Sequence, residues 1–347
     1  MLQSIKVKNF RCFKDFELSN FGQINLIGGG NNSGKTVLLE SIFVAQSQHP
    51  NSLRDIQEMR YLDVNVFDHE EVGVLWDGYF YEQDTSDVIE LELKESDGLI
   101  RKTTCSINNP SFMESESMSV SYLHNDQEYL ALKVKVSDGN FVTATEEYHP
   151  RLVIKPVVNI GFISTDKFNY NKQVLAQGYS KLEVENQSKY VLEGLQTIDP
   201  TIQEIKVIAL GEPNLYVSRG NSKLMPINLF GTAIDKVATI ILILLNNRNG
   251  TLLIDEIENG IHYTNHGNVW KLIFRLAIKF NIQVFATTHS QEIVQAFHEV
   301  VLNGDYINRA RYIEMKRQVK PHHIQAEVQT VDLLKDKMTK GITYRGE

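Results

Sequence analysis

The apolar positions of this chain change period along its length. Near the start, Ser4-Ile5-Lys6-Val7-Lys8-Asn9-Phe10 and Asp15-Phe16-Glu17-Leu18 alternate apolar with polar residues, the period of half-buried strands, and are read as a pair. Gln23-Ile24-Asn25-Leu26-Ile27 is apolar and β-branched enough for a buried strand, and Thr36-Val37-Leu38-Leu39-Glu40-Ser41-Ile42-Phe43 predicts a helix ending before His49-Pro50. Between residues 51 and 161, period-two stretches at 78–81, 88–93 and 129–136, with Ser-Asp-Gly turns after the last two, predict an antiparallel β subdomain. The polar, Ser/Glu/Met-rich stretch 108–121 reads as a loop. Helical spacing returns over 173–196 and stops at Ile198-Asp199-Pro200, before Ile202-Gln203-Glu204-Ile205. After Asn214-Leu215-Tyr216-Val217 the pattern predicts a helix over 234–246, a strand over 251–254, a helix over 269–280 and a strand over 282–288.

Apolar strands alternating with amphipathic helices imply an α/β fold, a parallel sheet covered on both faces, with ligand chemistry at the strand C-terminal ends. The chain leaves this core and returns to it. Residues 1–50 and 205–315 read as a bipartite core, 51–204 as an inserted β and helical subdomain, and 316–347 as a C-terminal extension with a helical stretch at 330–339. No internal repeat and no long heptad run occurs, so a coiled-coil arm is not expected.

Composition changes this picture little. With 347 residues, 42% hydrophobic and 22% charged, the chain is an ordinary globular sequence long enough for a full core. A net charge of −8 argues against a wholesale basic surface for nucleic acid but leaves room for one basic patch. Cys12 and Cys105 have neither metal-ligand spacing nor a disulfide framework, which points to a reducing cytoplasm. The first residues alternate like a strand and lack a signal-peptide core, so export is not expected. The longest apolar run, 237–245, is far below the roughly 20 residues that cross a bilayer, and no membrane partner is expected.

Two motifs carry chemistry. Gly29-Gly30-Asn31-Asn32-Ser33-Gly34-Lys35-Thr36 fits G-x-x-x-x-G-K-[ST] between a strand and a helix: glycines let successive N–H groups curl around phosphate oxygens, Lys35 neutralises β/γ charge, and Thr36 ligates Mg²⁺. Leu252-Leu253-Ile254-Asp255-Glu256 is an apolar strand ending in two acids. Asp255 is expected to hold Mg²⁺ and Glu256 to orient and deprotonate a water against the γ-phosphate. His289 ends the next strand and suits a γ-phosphate contact. Glu258 reads either as an exposed turn acid or as a contact to a neighbouring subunit or second metal, and His322-His323 as a solvated pair without spaced ligand partners. The turn at 226–235 places free N–H groups at a helix start, where they face an anion or serve only as a cap.

Taken together, Ile5-Lys6-Val7-Lys8-Asn9-Phe10-Arg11-Cys12-Phe13, the Gly30–Thr36 loop, Asp255-Glu256-Ile257-Glu258-Asn259-Gly260-Ile261-His262 and Ala286-Thr287-Thr288-His289-Ser290 resemble an ABC-type ATPase head of the overcoming-lysogenization-defect-like group, related to SMC-type and DNA-repair ATPases of the AAA family. The resemblance implies a P-loop NTPase fold and an Mg²⁺-dependent ATPase. Gly29, Asn31, Asn32, Ser33, Gly34, Lys35, Thr36 and Val37 would form its nucleotide cradle, with Thr36 and Asp255 on the metal and Glu256, His289 and Lys35 catalytic. Arg11 would touch the nucleotide, although an exposed strand arginine fits the residue as well, and Gly231 would mark the signature turn that meets ATP across a dimer. Asn228-Leu229-Phe230-Gly231-Thr232-Ala233 carries less glycine and serine than the family signature, and no Q-loop glutamine stands out. About 58 residues follow His289, too few for the Toprim nuclease of many relatives. A homodimer or higher oligomer, a separate nuclease or toxin effector, anti-phage defence or DNA metabolism, and DNA as a candidate partner are what the likeness implies. The alternative is an ATP-clamped scaffold that does not turn over. A GTPase reading fails because Asn171-Lys172-Gln173-Val174 lacks the aspartate of N-K-x-D.

Overall fold

The computed structural model describes residues 1–49, 51–60, 76–108, 117–137, 140–148, 159–165, 172–220, 223–318 and 323–329, and of 129–148 the backbone alone. Its centre is a six-stranded sheet in the order β16-β15-β3-β14-β13-β9. β3 (Ile24–Gly29), β9 (Ile160–Ile163), β13 (Thr251–Ile254), β14 (Gln283–Thr288) and β15 (Ala310–Arg317) run parallel, and β16 (Ile324–Gln329) closes one edge antiparallel.

Because successive strand side chains point to opposite faces, each central strand feeds two cores. Leu26, Leu252, Ile254, Val284, Ala286 and Tyr312 belong to one; Ile27, Leu253, Phe285 and Ile313 belong to the other. The first core is completed by α3 (Lys172–Val184), α4 (Lys189–Gln196), α5 (Thr232–Asn246), α6 (His266–Lys279) and α7 (Gln291–Asn303). The second is completed by α1 (Lys35–Ser47), the short α2 (Ser52–Glu58) and a second sheet.

That second sheet is antiparallel and seven-stranded, ordered β2-β1-β4-β5-β6-β7-β8. Its strands are β1 (Leu2–Phe10), β2 (Phe13–Ser19), β4 (Ile89–Glu95), β5 (Ile100–Asn108), β6 (Ser117–His124), β7 (Gln127–Ser137) and β8 (Asn140–Tyr148). A small third sheet joins β10 (Glu204–Leu210), β11 (Glu212–Ser218) and β12 (Met225–Pro226). α1 lies between the two large sheets and is buried nearly all round, as a helix sandwiched between layers must be.

Several expectations shift. Ile5 and Val7 pair with Leu93 and Leu91, so the opening strands and the inserted β stretch form one sheet that runs across the boundary expected at residue 50. β9 pairs with β13 and β16 with β15, which draws residues from the expected insertion and extension into the central sheet. The expected loop at 108–121 contains Asn108 of β5 and the start of β6; Met118, Val120 and Tyr122 are buried between polar neighbours, an alternation hidden by serines. Residues 109–116 lie outside the described residues, as do the 330–339 stretch, Asn171 and His322.

The single helix expected over 173–196 is two, because Asn186 turns the chain at φ 55°. At 78–81 no strand forms beyond one bridge from Phe80 to Phe10, since Tyr79 and Phe80 are both buried instead of alternating. No helix among the described residues is long and apolar enough to cross a membrane.

Candidate active site

The phosphate loop emerges from the C-terminal end of β3, the strand flanked by β14 and β15. Gly29 (φ 150°) passes so close to β15 that a Cβ would meet the Met315 carbonyl oxygen at 2.2 Å, and Gly34 turns into α1 at φ 89°, where side chains are strained. Ser33 Oγ donates to Gly30 O at 2.9 Å. Lys35, the first residue of α1, is buried, and its Nζ donates to Gly29 O (2.9 Å) and Gly30 O (2.7 Å). Burial pushes its pKa down to about 8, against the upward pull of Asp255, Glu256 and Glu258.

Asp255 leaves the end of β13 as a buried carboxylate that receives three hydroxyls: Thr36 Oγ1 at 3.1 Å to both oxygens, Thr287 Oγ1 at 2.6 Å and Thr165 Oγ1 at 3.1 Å. The next residue, Glu256, adopts φ 46°, a left-handed conformation that costs a side-chain-bearing residue on the order of 1–3 kcal/mol. The turn breaks the strand line and brings Glu256 to the cavity wall. Two contacts hold it there: its N–H donates to Thr287 Oγ1 at 2.9 Å, and Asn259 Nδ2 donates to its Oε2 at 2.7 Å.

His289 follows β14. Its Nδ1 lies 3.3 Å from Lys35 Nζ and its Nε2 lies 3.4 Å from Glu256 Oε1. An ammonium can only donate, so Nδ1 accepts and the ring proton sits on Nε2, facing the carboxylate. Lys35, Thr36, Asp255, Glu256 and His289, drawn from α1 and the ends of β13 and β14, therefore converge.

Lys35, Thr36, Glu256 and His289 line a cavity of about 520 Å³ together with Asn31, Asn32, Ser33, Gly34 and Val37, while Asp255 is bonded to Thr36 of that wall. Gly29 lies at the base of the loop, where its carbonyl holds Lys35. Arg11 does not line the cavity. Its guanidinium pairs with Glu40 at 2.9 Å and lies over the Tyr79 and Phe10 rings. Cys12, Arg60 and Arg317 line the wall instead, with Arg60 also bound to Glu40. Gly231, at φ 108° ahead of α5, lies outside this cavity, with open space where a Cβ would stand.

Thr165, Thr287, Arg60 and Arg317 were not singled out from the sequence. Threonines and arginines at loop ends carry no pattern of their own, and only the sheet order reveals them.

No group of three or more His, Cys, Asp or Glu side chains suited to a metal occurs among the described residues. One hydroxyl and one carboxylate, Thr36 and Asp255, nonetheless fit Mg²⁺, which takes few protein ligands and fills its remaining positions with water and substrate phosphate oxygens.

A parallel sheet with a glycine-rich phosphate loop at one strand end and paired acids at another defines a P-loop NTPase of the ATPase-head type. Family comparison agrees: residues 4–206 match the model described as "AAA domain", and the chain belongs to that family. Residues 137–295 also match a model described as "AAA domain, putative AbiEii toxin, Type IV TA system".

A Helicobacter pylori protein named ATP/GTP phosphatase is 25% identical over 91% of this chain and 93% of its own length. An uncharacterized Methanocaldococcus jannaschii protein is 30% identical over 27% of this chain and 38% of its own length. The fold is similar to the crystal structure of an SMC head bound to the C-terminal winged-helix domain of ScpA (TM-score 0.54, 11% identity, 96% of this chain and 99% of that one). It is also similar to an SMC head from Pyrococcus furiosus bound to the C-terminal domain of ScpA (TM-score 0.52, 10% identity, 99% of each).

Proposed function

We propose that this chain is an Mg²⁺-dependent ATPase that closes as a head-to-head dimer around ATP. The observation that carries the reading is the convergence of Lys35, Thr36, Glu256 and His289 on one cavity at the strand ends, with Asp255 bonded to Thr36. The loop N–H groups and Lys35 bind the phosphates. Thr36 and Asp255 hold Mg²⁺, which supplies charge to stabilise the transferring phosphoryl group. Glu256, fixed by Asn259, orients a water and takes its proton. His289 donates its Nε2 proton toward the γ-phosphate oxygen.

The Gly231 turn contributes the opposing wall from a second copy, a task for which its open surroundings leave room. The relative's name covers GTP as well as ATP, so both nucleotides belong in the test. The setting that fits best is a cytoplasmic defence or DNA-metabolism system of the overcoming-lysogenization-defect-like group, in which nucleotide state controls a separate nuclease or toxin, with DNA as a further candidate partner.

The test is phosphate release with Mg²⁺ and either nucleotide. Glu256→Gln is expected to slow ATP turnover ~10²–10⁴-fold, the contribution of a general base, while still binding nucleotide. Lys35→Ala is expected to abolish the thermal stabilisation that bound ATP confers. Normal turnover by Glu256→Gln sinks the catalytic assignment; ATP-dependent dimerisation with no turnover in the wild-type chain supports a clamped scaffold instead.

A further inference from the structure

The three hydroxyls around the Asp255 carboxylate are not equivalent. Thr287 Oγ1 donates to Oδ1 at 2.6 Å, and its oxygen also accepts the N–H of Glu256 at 2.9 Å. It is wholly enclosed, so its part is to fasten both acids to β14. The other oxygen, Oδ2, receives Thr36 Oγ1 and Thr165 Oγ1, each at 3.1 Å. A threonine of the phosphate loop and a threonine from a distant strand end therefore meet on one carboxylate oxygen.

Strand order brings Thr165 there. β9 runs parallel beside β13 with Ile163 opposite Ile254, and Asp255 N–H donates to Ile163 O at 2.8 Å. The chain leaves β9 two residues before Thr165, at the end of the sheet where Asp255 leaves β13. Thr165 is only partly buried, unlike Thr287. A stretch that sequence alone assigns to the insertion thus delivers a hydroxyl to the acid of the core.

The arrangement suits a cation better than it suits packing alone. A hydroxyl that gives its one proton to a carboxylate keeps two lone pairs, and Mg²⁺ takes oxygen ligands in a near-ideal octahedron. Neighbouring corners of an octahedron with bonds of about 2.0–2.1 Å stand about 3 Å apart. The Thr36–Oδ2 and Thr165–Oδ2 separations both match that edge. The proton of each threonine can stay on Asp255 while its oxygen turns a lone pair outward.

We propose that Thr165 is a third protein oxygen ligand of the metal site, beside Thr36 and Asp255. The proposal rests on the Mg²⁺-dependent ATPase reading above. Thr165 adds no charge, so it acts on how firmly the cation is held and leaves the contacts of Lys35 and the loop N–H groups with the phosphates as they are.

The test measures binding without turnover. The full chain and its Thr165→Val, Thr165→Ser and Thr165→Cys variants are melted with a non-hydrolysable ATP analogue while Mg²⁺ or Cd²⁺ is titrated in. A parallel set in chelator reads the analogue without metal. Thr165→Val is expected to need at least about 10-fold more Mg²⁺ for the same stabilisation, the loss that follows even for a partner one bond further from a metal. Its analogue affinity in chelator stays that of the wild type, and Thr165→Ser restores the wild-type Mg²⁺ requirement. Thr165→Cys needs more Mg²⁺, as Thr165→Val does, yet less Cd²⁺ than the wild type, because a soft cation prefers sulfur. Cys12 and Cys105 are present in every variant, so their own response to Cd²⁺ cancels in the comparison.

The change of metal preference is what a merely structural threonine would not produce. If Thr165→Val fails to fold, the Ser and Cys variants carry the test. An unchanged Mg²⁺ requirement in Thr165→Val or Thr165→Cys, or a Thr165→Cys loss that is the same with both metals, overturns the proposal and leaves the ATPase reading standing. A wild type that binds the analogue no better with Mg²⁺ than in chelator overturns both.

Discussion

Lys236 shows how one buried side chain sets a pH response. In the unfolded chain its amine ionises near 10.5; in the fold, burial brings it down to about 8 despite the pull of Asp255, Glu258 and Glu256. Below the folded value both states hold the proton, and the wild type bears the full cost of an enclosed charge. Between the two values the unfolded state holds the extra proton, so raising the pH relieves that cost. Lys236→Met is therefore expected to stabilise the protein most near about pH 7 and progressively less as pH rises through about 8 toward 10.5. Denaturant titrations across that range check this, and a gain independent of pH would sink it.

The cysteines behave oppositely. Burial raises Cys12 to about 11 and Cys105 to about 12, so both thiols stay neutral, Cys12 included although it lines the cavity.

Among the elements, α1 does the most to join the site to the core. It begins at Lys35 and Thr36 and then runs between the two large sheets, with Leu38, Leu39 and Ile42 wholly enclosed. Leu39→Ala leaves a cavity that neither sheet can easily close and is expected to cost ~2–5 kcal/mol. Val184→Ala, at the end of α3 and 85% exposed, is expected to stay within about 0.5 kcal/mol. Urea midpoints separate the two.

This strand–loop–helix unit was readable in the chain because an unbroken apolar strand, a glycine-rich turn and an apolar helix leave one arrangement. β6 was not, because its alternate apolar residues are set among serines and its preceding stretch is polar. The break between α3 and α4 was also hidden, since it depends on the left-handed conformation of Asn186 and not on a proline or glycine.

At the scale of the whole molecule, strand pairing decides which surfaces are free. On the antiparallel sheet, Lys6 lies opposite both Glu17 and Glu92, and Lys8 opposite both Asp15 and Glu90, so those lysines are neutralised across strands and offer no run of positive charge to a polyanion. The apolar residues left open include Leu229, just before the Gly231 turn, and Tyr263, beyond the acid loop, 66% and 64% exposed. They flank the region where Thr232 meets Gly260, and a second copy closing over ATP would cover them. Glu256→Gln with ATP and Mg²⁺ is expected to run at twice the monomer mass in light scattering and to return to monomer when Lys35→Ala is added. A monomer under both conditions would remove the dimer from the mechanism.

The amino-acid order alone determined the phosphate loop, the paired acids, the strand-end histidine and the α/β alternation, because each is a local pattern whose spacing admits few backbones. Tertiary structure alone decided that β1 and β2 share a sheet with the inserted strands, that β9 and β16 complete the central one, and that Arg11 turns to Glu40 while Arg60 and Arg317 face the cavity. It also decided that Glu258 reaches His289. Those outcomes depend on which distant segments come to lie side by side, and burial and hydrogen-bond pairing settle that only once the layers have packed.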